Sequence, residues 1–370
     1  MTTTHSLTNI DLAHLVTTYA EDFPIIQVLD ETGTIVDPQA AQKIDDTTLV
    51  QLMKDLQWAK TFDVRITMLN RQGTLANYAP GGGQEASQFA TLAALDKGDF
   101  LVPTYRDIAP LIKHGLPMWK AFLWWRGHVE GNTYEPEFQA WTPQVIVGGS
   151  IPHAAGVALG KKKKGDNHVV MAYCGDGATS QGDFYEGLNF AGVYKAPLIV
   201  VVQNNQWAIS TPLAQQTAAA TIAQKGVAAG IPSLRIDGND PIALYLAVKQ
   251  AREYALAGNG PVLIEALTYR TGAHTMSDDP KRYREDDEVD MWTSRSAVTR
   301  LATHLTSKNL WNEDMANHID EQVKAEVKQA VTDMGKIPAQ KVSTFLTNMY
   351  ENPPQNITEQ IAVYQAKENN

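Results

Sequence analysis

The sequence predicts an α/β protein, a mainly parallel sheet covered by helices on both faces, with helical extensions at the N- and C-terminal ends. Three observations carry this. Strand-length apolar runs alternate with helix-length segments from Ser150 to Thr268. The run Leu198-Ile199-Val200-Val201-Val202 is continuously apolar and β-branched, as a strand buried on both faces must be. Outside that region, apolar residues recur at the three- and four-residue steps of amphipathic helices.

Taken in order, Ile25 to Val36 is expected to form a hairpin that turns at Asp30 to Gly33. A long helix follows, because Leu49, Leu52, Met53, Leu56, Ala59, Ile66 and Leu69 mostly recur at helical steps, with Asp45 or Asp46 as its cap. Gly81-Gly82-Gly83 breaks the chain before a helix that starts near Gln84-Glu85. Ser150 to Lys164 is a small-residue helix, His168 to Cys174 a strand, Ser180 to Tyr194 a helix and Leu198 to Gln203 a strand. Thr217 to Ala229 is expected to be helical, Leu234 to Asp237 a short strand, Pro241 to Ala257 a helix and Val262 to Thr268 a strand. The stretch Ser277 to Arg284 is too charged for a core strand and too long for a tight turn; such loops often carry function. Beyond it lie two helical stripes, Val298-Leu301-Ala302-Leu305 and Ile319-Val323-Val327-Val331. The expected organisation is an N-terminal hairpin and helix over residues 1–80, an α/β domain over 81–290 and a helical segment over 291–370. That last segment packs on the same domain or on a partner.

Composition narrows the function. Among 370 residues, 44% are hydrophobic and 19% charged, globular values that argue against disorder. A net charge of −10 argues against non-specific nucleic-acid binding, which needs a basic surface. The one basic run, Lys161 to Lys164, suits the C-terminal end of a helix, where cations complement the macrodipole. Cys174 is the only cysteine, so neither an intrachain disulfide nor a Cys-x-x-Cys zinc site can form. Its apolar neighbours mark it as a small buried strand residue. Met1 to Asn9 is polar, and no Lys or Arg precedes Lys43. Neither a secretory signal nor an Arg-rich transit segment is expected. No apolar run approaches the roughly 18 residues of a membrane span. A reducing, cytoplasmic setting is the expectation.

The chemistry lies in one stretch. Gly175-Asp176-Gly177 follows one strand and Asn204-Asn205 follows the next. Magnesium takes oxygen ligands in near-octahedral geometry and commonly bridges phosphates. Asp176 supplies a charged oxygen, Asn205 an amide oxygen and the Trp207 carbonyl a third protein ligand. The glycines let backbone approach a diphosphate, and the helix opening near Ser180 points its N-terminus at it. Each half alone is ordinary turn punctuation; both at consecutive strand ends make a site, because open α/β sheets bind ligands there. A dinucleotide fingerprint would need glycine at position 180, where Ser180 stands, and a P-loop would need Gly-Lys-Ser/Thr here.

This arrangement resembles the thiamine-diphosphate (ThDP) motif, Gly-Asp-Gly followed at this distance by Asn-Asn. The resemblance extends through Gly175 to Glu186, Tyr105-Arg106-Asp107, Arg126-Gly127-His128, His274-Thr275-Met276-Ser277 and Arg282-Tyr283-Arg284. Together these are similar to the alpha subunit of the decarboxylating component of 2-oxo acid dehydrogenase complexes, closest to the bacterial two-subunit pyruvate dehydrogenases. The resemblance implies the ThDP-binding fold and oxidative decarboxylation of pyruvate, the acetyl group passing to a lipoyl group of the acetyltransferase component. Branched-chain 2-oxo acid and acetoin dehydrogenases share the motif and stay open as alternatives. So does a non-catalytic subunit that keeps the fold.

The resemblance also implies roles, position by position. Asp176, Asn205 and the Trp207 carbonyl match the magnesium ligands. Gly177 and Ala178 match backbone donors to the diphosphate, which Tyr105 and Arg106 grip. Val145 and Val147 match backbone contacts to the aminopyrimidine ring, and Ile209 an apolar wedge that bends the cofactor. His128 and His274 match active-site histidines, either suited to acid–base work near neutrality. Tyr283 and Arg284 match a loop over the site. Ser277 lies where mitochondrial relatives are phosphorylated, and no such regulation is expected here. The glutamate that activates the cofactor has no clear counterpart: Glu85 follows a glycine run and Glu186 lies in the diphosphate helix. It is expected from a beta subunit, in an assembly of two alpha and two beta chains.

Overall fold

A computed structural model describes residues 21–369 of the chain. The N-terminal stretch Met1–Asn9, expected to hold no export signal, lies outside the described residues. In chain order the elements that build the site's frame are α1 (Asp46–Arg71), α2 (Glu85–Ala93), β1 (Phe100–Val102), α3 (Ser150–Lys164), β2 (Val170–Gly175) and α4 (Gly182–Val193). They continue with β3 (Leu198–Asn204), β4 (Ser233–Asp237), α5 (Pro241–Leu256), β5 (Val262–Leu267), α6 (Ala297–Ser307) and α7 (Glu313–Met334).

The five strands form one sheet in the order β1-β2-β3-β5-β4, and every pairing in it is parallel. All strands therefore end on the same edge. Both sheet faces are buried, which explains the unbroken apolar strands. On one face Met171, Tyr173, Ile199, Val201 and Ile264 pack with α1, α2 and α5. On the other, Val170, Ala172, Cys174, Val200 and Val202 pack with α3 and α4. The expected α/β layering is the observed one.

Helix α1 starts where Asp45 accepts a hydrogen bond from the Thr48 amide. Buried Phe62 fills the gap between Ala59 and Ile66 in its apolar stripe, and buried Trp58 stacks on it with ring centres 4.7 Å apart. Helices α6 and α7 bury Leu301, Leu305, Val323 and Val327 in the same core. Gln57 and Trp58 of α1 donate to Asp320 and Glu326 of α7, each at 2.7 Å. Helix α3 ends at Gly165 in the left-handed conformation, φ 69°, directly after its four lysines.

Ile25 to Val36 turns back at Asp30 to Gly33 as expected, with Leu29 bridged to Ile35 and the Asp30 and Val36 amides donating to the Thr34 and Val28 carbonyls at 2.9 Å; it is short, and a further bridge from Ile26 to Ile236 extends the β4 edge. Asp240 imposes this by accepting the Val28 and Leu29 amides at 2.6 and 2.8 Å. Two helix expectations are corrected. The helix expected from Ser180 opens at Gly182, because Asp176–Ser180 forms a 3-10 turn first. Thr217 to Ala229 is helical only over Lys225–Ala228. There the Glu265 carboxylate takes the Ala223 amide at 2.9 Å, and Thr221 and Gln224 bond to each other, so tertiary partners displace helical ones.

Asp240 also caps α5 through the Ile242 and Ala243 amides at 2.9 and 3.1 Å. Replacing it by alanine leaves buried donors without partners, each worth about 1–3 kcal/mol. Asp240→Ala is expected to lower stability by about 3 kcal/mol or more. Urea unfolding checks this, and an unchanged midpoint would contradict it.

Candidate active site

The edge where the parallel strands end carries a cleft of about 240 Å³. Thr104 to Arg106 reach it after β1, Asp176 to Ala178 after β2, and Asn205 to Ile209 after β3. His274 arrives from the loop after β5. Tyr105, Arg106, Val147, Asp176, Gly177, Ala178, Asn205, Trp207, Ile209 and His274 therefore line one space.

Asp176 is 1% exposed, and its Oδ2 has no hydrogen-bond partner among the described residues. Burial pushes its carboxyl up to about 6. A buried carboxylate oxygen without a partner is costly, and a cation relieves that cost. Asn205 is held so that its amide nitrogen donates to Gln84 Oε1 at 2.9 Å, which leaves Oδ1 only a long contact, 3.3 Å, from the Trp207 amide. Behind it runs a buried relay. Gln84 donates to Gln203 at 2.6 Å, Gln203 to Asp107 at 2.6 Å, and Asp107 also accepts from Gln88 at 3.0 Å. That relay fixes which face of the Asn205 amide looks outward. Asn204 points the other way, donating to Glu265 at 2.7 Å.

The backbone at the site is equally constrained. A Cβ on Gly177 would lie 2.8 Å from the Ala208 Cβ, so only glycine fits there. Trp207–Ala208 and Thr211–Pro212 form a small antiparallel hairpin. Ile209, at its turn, has φ 58°, an outlier for a β-branched residue, and its side chain is 57% exposed. Arg270 pins the hairpin, donating to the Ile209 carbonyl at 2.7 Å and the Trp207 carbonyl at 3.3 Å. The Trp207 carbonyl keeps a second lone pair. One charged oxygen, one amide oxygen and one carbonyl oxygen suit a hard divalent cation.

Arg106 donates to the Pro80 carbonyl at 2.7 Å and through Nη2 to His274 Nδ1 at 3.2 Å. The His274 Nδ1 must then accept, which places the ring proton on Nε2. Burial, with Arg106 and Arg270 nearby, holds His274 down to about 4.

The other expected residues sit around this cleft. Val145 lies in an adjoining cavity with Trp124, Trp125, Val147 and Ile209. Tyr283 packs on Trp207 with ring centres 5.3 Å apart and accepts from Arg270 at 2.8 Å. Arg284 faces inward, donating to the Arg270, Thr271 and Gly272 carbonyls, and so supports the loop rather than lining the cleft. His128 lies outside both cavities: Nδ1 accepts from the Glu130 amide, and Nε2 sits 3.2 Å from the Pro338 carbonyl. Among the described residues no glutamate lines the cleft; Glu186 is exposed, and Glu85 is turned toward the Gly83 amide at 3.0 Å. The sequence reading missed Gln84, Gln203 and Arg270 and gave Asp107 no role. The one available signal was Gln203, a polar residue closing an apolar strand.

The fold and cleft thus define an α/β protein with a polar cleft where the strands of a parallel sheet end. The model of the dehydrogenase E1 component family matches residues 53–343, and the chain belongs to that family. It is 48% identical over 347 residues to the pyruvate dehydrogenase E1 component subunit alpha of Staphylococcus aureus (strain Mu50), with 94% of each chain covered. The same identity and coverage hold for the subunit of that name from Staphylococcus epidermidis.

Because its pKa is depressed, His274 is expected to stay neutral above pH 6.5 and to take up its proton only near pH 4. Its contribution to stability is complete above its unfolded pKa and is lost as pH falls through the folded one. Histidine NMR checks both tautomer and titration. Arg106→Met should move the midpoint upward; an unshifted midpoint would refute the coupling.

Proposed function

We propose that this chain is the alpha subunit of a pyruvate dehydrogenase E1 component. It acts in ThDP- and magnesium-dependent oxidative decarboxylation of pyruvate, with transfer of the acetyl group to a lipoyl group of the acetyltransferase component. The observation that carries this is the unpartnered Asp176 Oδ2 buried beside Asn205 at the ends of consecutive parallel strands. Family membership and near full-length similarity to two alpha subunits of that name support it.

Asp176, Asn205 and the Trp207 carbonyl would hold the magnesium ion, and the Gly177 and Ala178 amides with Tyr105 and Arg106 would hold the diphosphate. Val145, Val147 and Ile209 would seat the rest of the cofactor. When bound, ThDP supplies the electron sink for decarboxylation. The chain's own residues bind, orient and exclude water. His274, neutral with its proton on Nε2, is suited to donate a hydrogen bond toward the substrate side, while His128 is placed to act only if a partner chain reshapes its surroundings. Among the described residues no glutamate lines the cleft, and its rim is apolar and open: Ile146 and Val147 are 71% and 47% exposed, and Val145 in the adjoining cavity is 66% exposed. Both facts support a beta subunit that covers the rim and supplies the activating glutamate, in an assembly of two alpha and two beta chains. No helix among the described residues is long and apolar enough to cross a membrane. We place the enzyme in the cytoplasm, in line with its lone, buried cysteine.

Asp176→Ala is expected to abolish magnesium-dependent ThDP binding by the reconstituted alpha–beta complex while circular dichroism stays native. The alpha chain alone should turn over little pyruvate. Normal ThDP affinity in the variant, or full turnover without a beta chain, would overturn the assignment.

A further inference from the structure

The segment Leu213 to Lys225, a helical turn at Leu213–Gln216 followed by an irregular stretch that leads into the Lys225–Ala228 helix, is gathered against the outer side of the Asp176–Ser180 turn. Two of its side chains grip that turn. Gln216 Nε2 donates to the Asp176 carbonyl at 2.9 Å and to Ser180 Oγ at 2.5 Å. Lys225 Nζ donates to both the Thr179 carbonyl and Thr179 Oγ1 at 2.9 Å, and Thr179 Oγ1 in turn donates to the Asp176 carbonyl at 2.7 Å.

Lys225 is 5% exposed, and its ammonium group also lies 5.8 Å from the Tyr185 ring centre. A lysine this buried is costly unless its hydrogens are bonded. An apolar side chain would fill the same space without that cost, so hydrophobic packing alone does not explain it. What the ammonium does there is tie down the Thr179 carbonyl, which the 3-10 turn leaves free. Gly226, next in the chain, has no room for a side chain: its Cβ would fall 1.9 Å from Ser233 Oγ. The segment is thus pressed against the β4 end of the sheet, which fixes where the Lys225 backbone stands.

We infer that Lys225 and Gln216 are positioning residues for the cation and diphosphate site. They hold the Asp176–Ser180 turn so that the Asp176 carboxylate and the Gly177 and Ala178 amides face the cleft. This rests on the ThDP reading above. The clamp acts on the protein side of the turn and touches no ligand itself. Its effect is to preorganise, and outer partners of this kind commonly change metal affinity by about 10–100-fold.

The test uses the reconstituted alpha–beta complex, with ThDP and magnesium titrated by calorimetry and by tryptophan fluorescence. Lys225→Met is expected to weaken magnesium-dependent ThDP binding by about 10–100-fold. The half-saturating cofactor concentration should rise, with kcat regained at saturating cofactor and the cofactor-free melting temperature near wild type. Lys225→Arg, which keeps the donors, should restore part of the affinity. Gln216→Ala is half-buried at the surface, disturbs folding least and should show the same split with a smaller shift. Unchanged affinity in both alanine and methionine variants, or affinity lost only in proportion to cofactor-free stability, overturns the inference. A wild-type complex that binds no ThDP overturns the underlying reading instead.

Discussion

A carboxylate that the fold buries without completing its hydrogen bonding organises much of this molecule. Asp176 stands at the end of a central strand with β1 and β3 on either side. Its Oδ2 is shielded from water yet unpartnered. An unpaired buried charge costs several kcal/mol or drives protonation, and the raised pKa of Asp176 expresses that tension. Such a group persists where something outside the chain completes it. The surrounding contacts then make sense: the Gln84-Gln203-Asp107 relay that orients Asn205, the Arg270 grip on a strained hairpin, and the hydrogen bonds to the Asp176 turn all hold the oxygen groups of the cleft still.

The parallel sheet makes this economical in residues. Because every strand runs the same way, β1, β2, β3 and β5 deliver their following loops to one edge. The residues from four separate stretches of sequence meet there with no long excursions. At the cleft, backbone strain gathers in and just before the short hairpin, where Gln206 and Ile209 hold positive φ values of 71° and 58°. Left-handed residues of this kind persist only when their surroundings over-determine them, and Arg270 supplies that constraint.

The layering, every central element but the helix expected over Thr217 to Ala229, and the Asp176–Asn205 pair were legible in the sequence because their signals are local. A buried parallel strand must be apolar throughout, and a strand-end motif needs only short-range spacing. What was not legible depends on distant partners. Thr217 to Ala229 has a helix-compatible composition, yet Glu265 and Thr179, far away in sequence, take its donors. Gln84 and Asp107 look like ordinary polar residues until the fold brings them to Gln203. His128 and His274 were equivalent as letters. Only the structure separates them, placing one against Arg106 in the cleft and the other against the Pro338 carbonyl. Arg284, expected near a ligand, proves to stitch its own loop to three carbonyls.

The state of His274 is set by burial and by the two arginines beside it. Burial and the positive charges of Arg106 and Arg270 oppose its protonation. Arg106 also fixes the ring by donating to Nδ1, so the one proton it carries is on the nitrogen that Arg106 does not occupy. An anion bound between these arginines offsets the repulsion and raises the proton affinity of the imidazole. By reciprocity, protonating His274 favours anion binding to the same degree. A diphosphate in the cleft would therefore bring a neutral, pre-oriented histidine back toward its ordinary range.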